Sequence, residues 1–85
     1  MTTMKRVVIL KQAAMALRKH RNIAPRLRDK IAAYAVDPAS LADSVTELRG
    51  SPLKRLRVGE FRILFEETAT EIIVSRIGPR GSIYD

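Results

Sequence analysis

The apolar positions of this chain change period once, from helical to alternating, and the change falls near residue 50. Lys5 to Leu10 (KRVVIL) is a short β-branched run and predicts a strand. From there to Arg21, Leu10, Ala13, Ala14 and Leu17 recur at helical spacing while Lys11, Arg18 and Lys19 fall elsewhere. That pattern predicts an amphipathic helix with a basic outer surface. Asn22 interrupts it. Pro25, whose fixed φ suits a first helical turn, opens a second helix with the stripe Leu27, Ile31, Tyr34 and Ala35, and Asp37-Pro38 ends it. So short a connection predicts an antiparallel helical hairpin whose stripes need a sheet to cover. Leu41, Val45 and Leu48 fit either a third short helix or a packed loop over Ser40 to Gly50.

Beyond that point polar and apolar residues alternate. Leu53 to Val58 and Phe61 to Glu67 read as the strands of a hairpin, and Glu71 to Ile77 as a third strand. Gly78-Pro79-Arg80-Gly81 reads as a type I turn before a short final segment. Segregated helices and strands predict an α+β fold: two N-terminal antiparallel helices packed on a twisted, mostly antiparallel sheet of four or five strands. With 85 residues the chain has room for one domain, 1–85, and no linker or repeat divides it.

A turn at Gly59-Glu60 fixes the register of the hairpin. Val58 then faces Phe61, Leu56 faces Ile63 and Arg57 faces Arg62, so one face is apolar and the other stacks like charges. Like charges directly opposite one another destabilise a sheet by roughly 0.2–1 kcal/mol. A face that tolerates this is suited to a polyanion.

Composition points the same way. Sixteen Lys and Arg against nine Asp and Glu give a net charge of +7 and a pI near 10.6, the electrostatic footprint of a phosphate binder. A chain this short buries only about 60–65% of the surface its unfolded form exposes. With no cysteine, neither disulfides nor thiolate metal sites supplement the core. No apolar run reaches the roughly 18 residues of a membrane span, and Met1 to Leu10 lacks a signal-peptide cleavage pattern. A cytoplasmic protein without membrane attachment is expected.

Elimination narrows the chemistry. His20 is the only histidine and is expected to sit exposed at a helix end, so paired-histidine catalysis and Cys/His zinc sites within one chain are excluded. Glu66 and Glu67 are adjacent and point to opposite faces of a strand, which is no carboxylate pair. The serines have no base placed by sequence, and Gly59, Gly78 and Gly81 do not form a phosphate loop. What remains is an arginine set: Arg57 opposite Arg62, Arg55 two positions along the same face, and Arg80 after the third strand. Such a cluster can hold a phosphodiester and stabilise charge on its non-bridging oxygens. The alternative is a solvated face whose arginines pair with Glu60, Glu66 and Glu71. Tyr84, next to last, is either a frayed aromatic or is returned toward the arginines by the preceding turn.

LRVGEFRILFEE followed by IIVSRIGPRGSIYD resembles the C-terminal half of the RelE/ParE superfamily of small toxins from type II toxin-antitoxin systems. The KRVVIL strand, two helices, Val36-Asp37-Pro38 and Leu48-Arg49-Gly50 follow the same order, so the resemblance spans essentially the whole chain. It implies helices packed on a twisted antiparallel sheet. For the RelE branch it also implies an endoribonuclease that needs no metal or cofactor and cuts mRNA in the ribosome. Its further implications are translation inhibition, a cognate antitoxin protein as partner and a toxin-antitoxin hetero-oligomer.

The resemblance also implies individual roles. Arg62 matches a phosphate-binding arginine, in a shifted form of the family's G-x-R segment, here Gly59-Glu60-Phe61-Arg62. Arg80 matches an arginine that protonates or stabilises the leaving oxygen. Tyr84 matches a C-terminal tyrosine that stacks on a base and takes the 2′-hydroxyl proton. Arg55 and Arg57, with Lys54 beside them, match a basic RNA-binding strand, although Lys54 should point to the other face. Relatives carry lysine where Arg55 and Arg57 stand. Arginine stays charged and is a poor general base, which leaves Tyr84, its phenol made more acidic by Arg57, Arg62 and Arg80, as the expected base. A non-enzymatic gyrase inhibitor of the ParE type, or a member that only binds antitoxin and nucleic acid, are the competing readings.

Overall fold

The computed structural model describes residues 4–82. In chain order its elements are β1 (Arg6–Ile9), α1 (Lys11–Lys19), α2 (Ala24–Val36), a 3-10 helix (Pro38–Ser44), β2 (Val45–Glu47), β3 (Leu53–Val58), β4 (Phe61–Glu67) and β5 (Glu71–Pro79). The strands form one sheet in the order β1-β5-β4-β3-β2. Every pairing is antiparallel except β1 with β5, which run parallel. The two edge strands are the shortest, four and three residues, which limits the unpaired backbone left at each margin.

Both helices lie on one face of the sheet and supply the expected stripes. Ala13 and Leu17 of α1 are buried, as are Leu27, Ile31, Tyr34 and Ala35 of α2. From beneath come Leu56 and Val58 of β3, Ile63 and Phe65 of β4, and Ile72, Val74 and Ile77 of β5. Ala13, 0% exposed, has no bulk to hold α1 off the sheet, so the helix packs closely on β5. Pro25 stands in the first turn of α2, as its missing N–H requires. Arg18 and Lys19 in the last turn of α1 face the negative end of its dipole.

Several expectations need correction. Leu10 is the residue before α1 and is 44% exposed rather than part of the buried stripe. The segment after α2 is neither one helix nor one loop: its 3-10 helix ends at Ser44, and Val45 begins an edge strand paired with Leu56. Three residues of alternation were too few to reveal β2. The third strand runs two residues past Ile77, so Gly78 and Pro79 pair with Arg62 and Phe61 rather than forming a turn; the turn follows at Arg80 to Ser82. Pro79 can occupy a strand end, where no ladder N–H is demanded of it.

The β3–β4 hairpin has the expected register, with Val58 opposite Phe61, Arg57 opposite Arg62 and Leu56 opposite Ile63. Gly59 has φ +58 and no non-glycine described residue has positive φ, the pattern of a type II′ turn with glycine first. Gly59→Ala is therefore expected to lower unfolding free energy by about 1–2 kcal/mol through left-handed strain, measured by urea denaturation. An unchanged midpoint would contradict the turn assignment.

Candidate functional site

The sheet face turned away from the helices is set by alternation in β3 and β4. Leu56 and Val58 enter the core, so Arg55 and Arg57 fall on the opposite face; Ile63 and Phe65 do the same for Arg62 and Leu64. Register then builds two rows across the strands. Arg57, Arg62 and Gly78 lie side by side in one; Thr46, Arg55, Leu64 and Arg76 lie side by side in the next. Position 78 carries no side chain to crowd Arg62.

Arg76 reaches this face through a bulge. Strict alternation from Ile72 and Val74 would drive it into the core. The register shifts between Leu64 and Phe65, so Ser75 is left unopposed and its hydroxyl donates to the Leu64 carbonyl at 3.3 Å. Parity reverses beyond it: Arg76 is exposed and Ile77 is buried. The signal was present in the sequence, since an arginine at core parity followed by an isoleucine at surface parity is best resolved by one extra residue. Leu64 is 2% exposed yet lies outside the core cluster. Its cross-strand neighbours are Arg55 and Arg76, whose methylene stems can cover it while their charged heads stay in water.

Among the described residues, two of the three ion pairs lie on the helix side, and the third lies on the arginine side but at the β1–β5 end, where Arg6 stands beside Glu71. They are Lys5–Glu67 at 2.7 Å, Lys54–Glu67 at 2.8 Å and Arg6–Glu71 at 3.3 Å. Arg57, Arg62, Arg76 and Arg80 form none, so the reading in which Glu60, Glu66 and Glu71 neutralise this face does not hold for them. Arg62 is oriented instead by backbone: its Nη1 donates to the carbonyls of Gly59 and Phe61, both at 3.0 Å. This holds one edge of the fork against the turn. A pocket of about 110 Å³ opens beside it, lined by Asp43, Ser44, Thr46, Arg55, Arg57 and Arg62. The 3-10 helix and β2 thus close the arginine face on one side. Neither their contribution nor that of Asp43 was foreseen, because both depend on β2 pairing with β3.

Arg80 is exposed at the same rim, and its backbone N–H donates to the Glu60 carbonyl at 2.6 Å, which ties the end of β5 to the hairpin turn. Tyr84 lies outside the described residues. Lys54, expected among the phosphate-binding residues, is on the helix side and is committed to Glu67. His20, expected exposed, is half-buried with its ring edge-on to Phe61 at 4.9 Å and 77°.

Glu67 is the hub of the helix-side network. It accepts hydrogen bonds from Lys5, Lys54 and the Tyr34 hydroxyl, the last at 2.6 Å. Burial alone would raise its pKa, but the bonds from Lys5, Lys54 and Tyr34 outweigh burial and pull it down to about 2. Burial, followed by the hydrogen bond to Glu67, pushes the Tyr34 phenol above its ordinary range and keeps it a neutral donor. Among the described residues no group of three His, Cys, Asp or Glu is placed to hold a metal ion, and no helix is long and apolar enough to cross a membrane.

The fold is RelE-like. No protein-family pattern and no curated protein matches the sequence. Among solved structures, a chain of the archaeal RelE–RelB complex from Pyrococcus horikoshii superposes with a TM-score of 0.76 at 24% identity, covering 95% of this chain and all of that one. A chain of the toxin–antitoxin complex RelBE2 from Mycobacterium tuberculosis gives 0.65 at 19% identity, with 92% of this chain and all of that one covered. At these identities the likeness is one of fold.

Proposed function

We propose that this chain is the toxin of a toxin-antitoxin pair and inhibits translation by cutting mRNA at the ribosome. The observation that carries the reading is the opposed pair Arg57 and Arg62 on a sheet face where, among the described residues, neither forms an ion pair. In the reaction the RNA 2′-oxygen bonds to the adjacent phosphorus and the P–O5′ bond breaks, leaving a cyclic phosphate and a 5′-hydroxyl. The pentacoordinate intermediate gathers negative charge on its non-bridging oxygens, and Arg62, already oriented by the turn, stabilises it with Arg57 and Arg55. Arg80, anchored at the rim, stabilises the departing 5′-oxygen, which takes its proton from solvent water to become the 5′-hydroxyl. Two groups are candidates for the proton acceptor: Tyr84, and Asp43, the carboxylate that lines the arginine pocket. Arginine itself keeps its proton.

The antitoxin partner is supported by the complexes from which both structural relatives come. Exposed Met4, Leu10 and Met15, beside the basic outer helices, offer apolar anchors for an acidic amphipathic segment.

The test is to add the purified chain to translating ribosomes and map new RNA ends. Fresh 5′-hydroxyl ends inside translated messages are expected, and whichever of Tyr84→Phe and Asp43→Asn removes the proton acceptor should slow their formation by about 10²–10⁴-fold. Intact messages accompanied by double-strand DNA breaks would overturn the reading in favour of gyrase inhibition. Arrest of neither kind would leave a nucleic-acid or antitoxin binder without catalysis.

A further inference from the structure

The arginine face does not end at β3. A second pocket, of about 190 Å³, lies across the hairpin on the α2 side, and its wall includes Arg26, Lys30, Ser44, Arg57 and Gly59. Ser44 and Arg57 line both pockets, so the two adjoin along a shared wall. Arg26 and Lys30 are four residues apart on α2, hence on one face of the helix, one turn from each other. The Arg26 guanidinium lies over the turn glycine: a methyl group on Gly59 would stand 3.8 Å from both of its terminal nitrogens. Among the described residues neither Arg26 nor Lys30 forms an ion pair. Arg26, Lys30, Arg57 and Arg62 therefore make a cationic track around the β3–β4 turn, from the helix layer to the opposite sheet face.

We propose that Arg26 and Lys30 form a second phosphate-binding subsite, which takes a backbone phosphate of the same RNA strand whose scissile phosphate lies at Arg62. The inference rests on the RNA reading above and extends it by giving the strand a direction, over the hairpin turn toward α2. Cations on both sides of a turn suit a ligand with regularly repeated charges. The glycine at the crossing point keeps the turn low beneath the strand. Asp43 lines only the first pocket, so the charge at the second is undiluted.

The probe is a labelled single-stranded oligoribonucleotide with 2′-O-methyl sugars, which binds without being cut. Arg26→Ala with Lys30→Ala should weaken binding to the full chain several-fold and lower the slope of log K against log salt by about 0.7, the value for one phosphate on a single strand. Arg26→Lys with Lys30→Arg, which keeps both charges, should retain the wild-type slope. If the alanine pair binds with unchanged affinity and slope while Arg57→Ala lowers both, the second subsite is refuted and the RNA reading stands. If the wild-type chain binds the oligonucleotide with no salt dependence, the RNA reading itself falls. Loss of binding to an acidic peptide, with RNA binding intact, would overturn the proposal in favour of a protein partner on this track. Equal melting temperatures of the variants and the wild type keep folding out of the comparison.

Discussion

Arg62→Ala is expected to reduce RNA cleavage about 10²–10³-fold, equivalent to roughly 2.7–4 kcal/mol of transition-state stabilisation, while leaving the melting temperature nearly unchanged. The two halves of this prediction come from the same geometry. Arg62 faces Arg57 across the hairpin, and its removal relieves a like-charge pair worth roughly 0.2–1 kcal/mol. It also deletes the bonds from Nη1 to the Gly59 and Phe61 carbonyls. Each is worth about 0.5–1.5 kcal/mol net when sheltered and less where water can replace it. The two effects oppose, and the residual effect on stability is small. Catalysis has no such offset, because in the proposed reaction the remaining donors of this fork are the ones that grip the phosphate. Arg62→Lys should recover little activity, since an ammonium cannot bond the turn and grip two phosphate oxygens at once. Single-turnover cleavage beside thermal denaturation checks both halves; a wild-type rate in the alanine variant would remove Arg62 from the site.

The largest effect on stability is expected at Glu67. Its carboxylate joins the residue before β1, α2, β3 and β4 through Lys5, Tyr34 and Lys54, and its side chain is 12% exposed. With a folded value of about 2 against 4.5 for the unconstrained group, the linked stabilisation is on the order of 3 kcal/mol. The folded-state pKa lies below the unfolded one, so this contribution is complete above about pH 4.5 and disappears as the pH falls toward 2. Glu67→Gln should remove it at neutral pH and lower the melting temperature by about 12–24 °C, at about 4–8 °C per kcal/mol for a domain of this size. Below pH 3 the variant and the wild type should converge. Denaturant titrations from pH 7 to pH 2 read this directly, and parallel stability curves for the two proteins would show that the network is not the acid-labile element.

These two residues illustrate how unevenly the structure was legible in advance. Arg62 was placed correctly from a two-residue turn and strict alternation, because antiparallel hairpin register depends on neighbours in the chain. For Glu67, alternation gave only that it and Glu66 point to opposite faces. Its meaning was not legible, because Lys5 and Tyr34 come from 62 and 33 residues away. For the same reason Lys54 was drawn into the phosphate-binding set although its parity already directed it to the helix side.

Local periodicity therefore decided the two helices, the β3–β4 hairpin and the line of Arg55, Arg57 and Arg62 on one face, since burial of a helical stripe or a strand face is written in the spacing of adjacent residues. Tertiary structure alone decided the rest. The parallel pairing of β1 with β5, the three-residue β2, the bulge at Ser75 that turns Arg76 outward and the shared wall of the two basic pockets all depend on segments distant in the chain. Their energies are set by what packs alongside, a quantity that no window of local sequence contains.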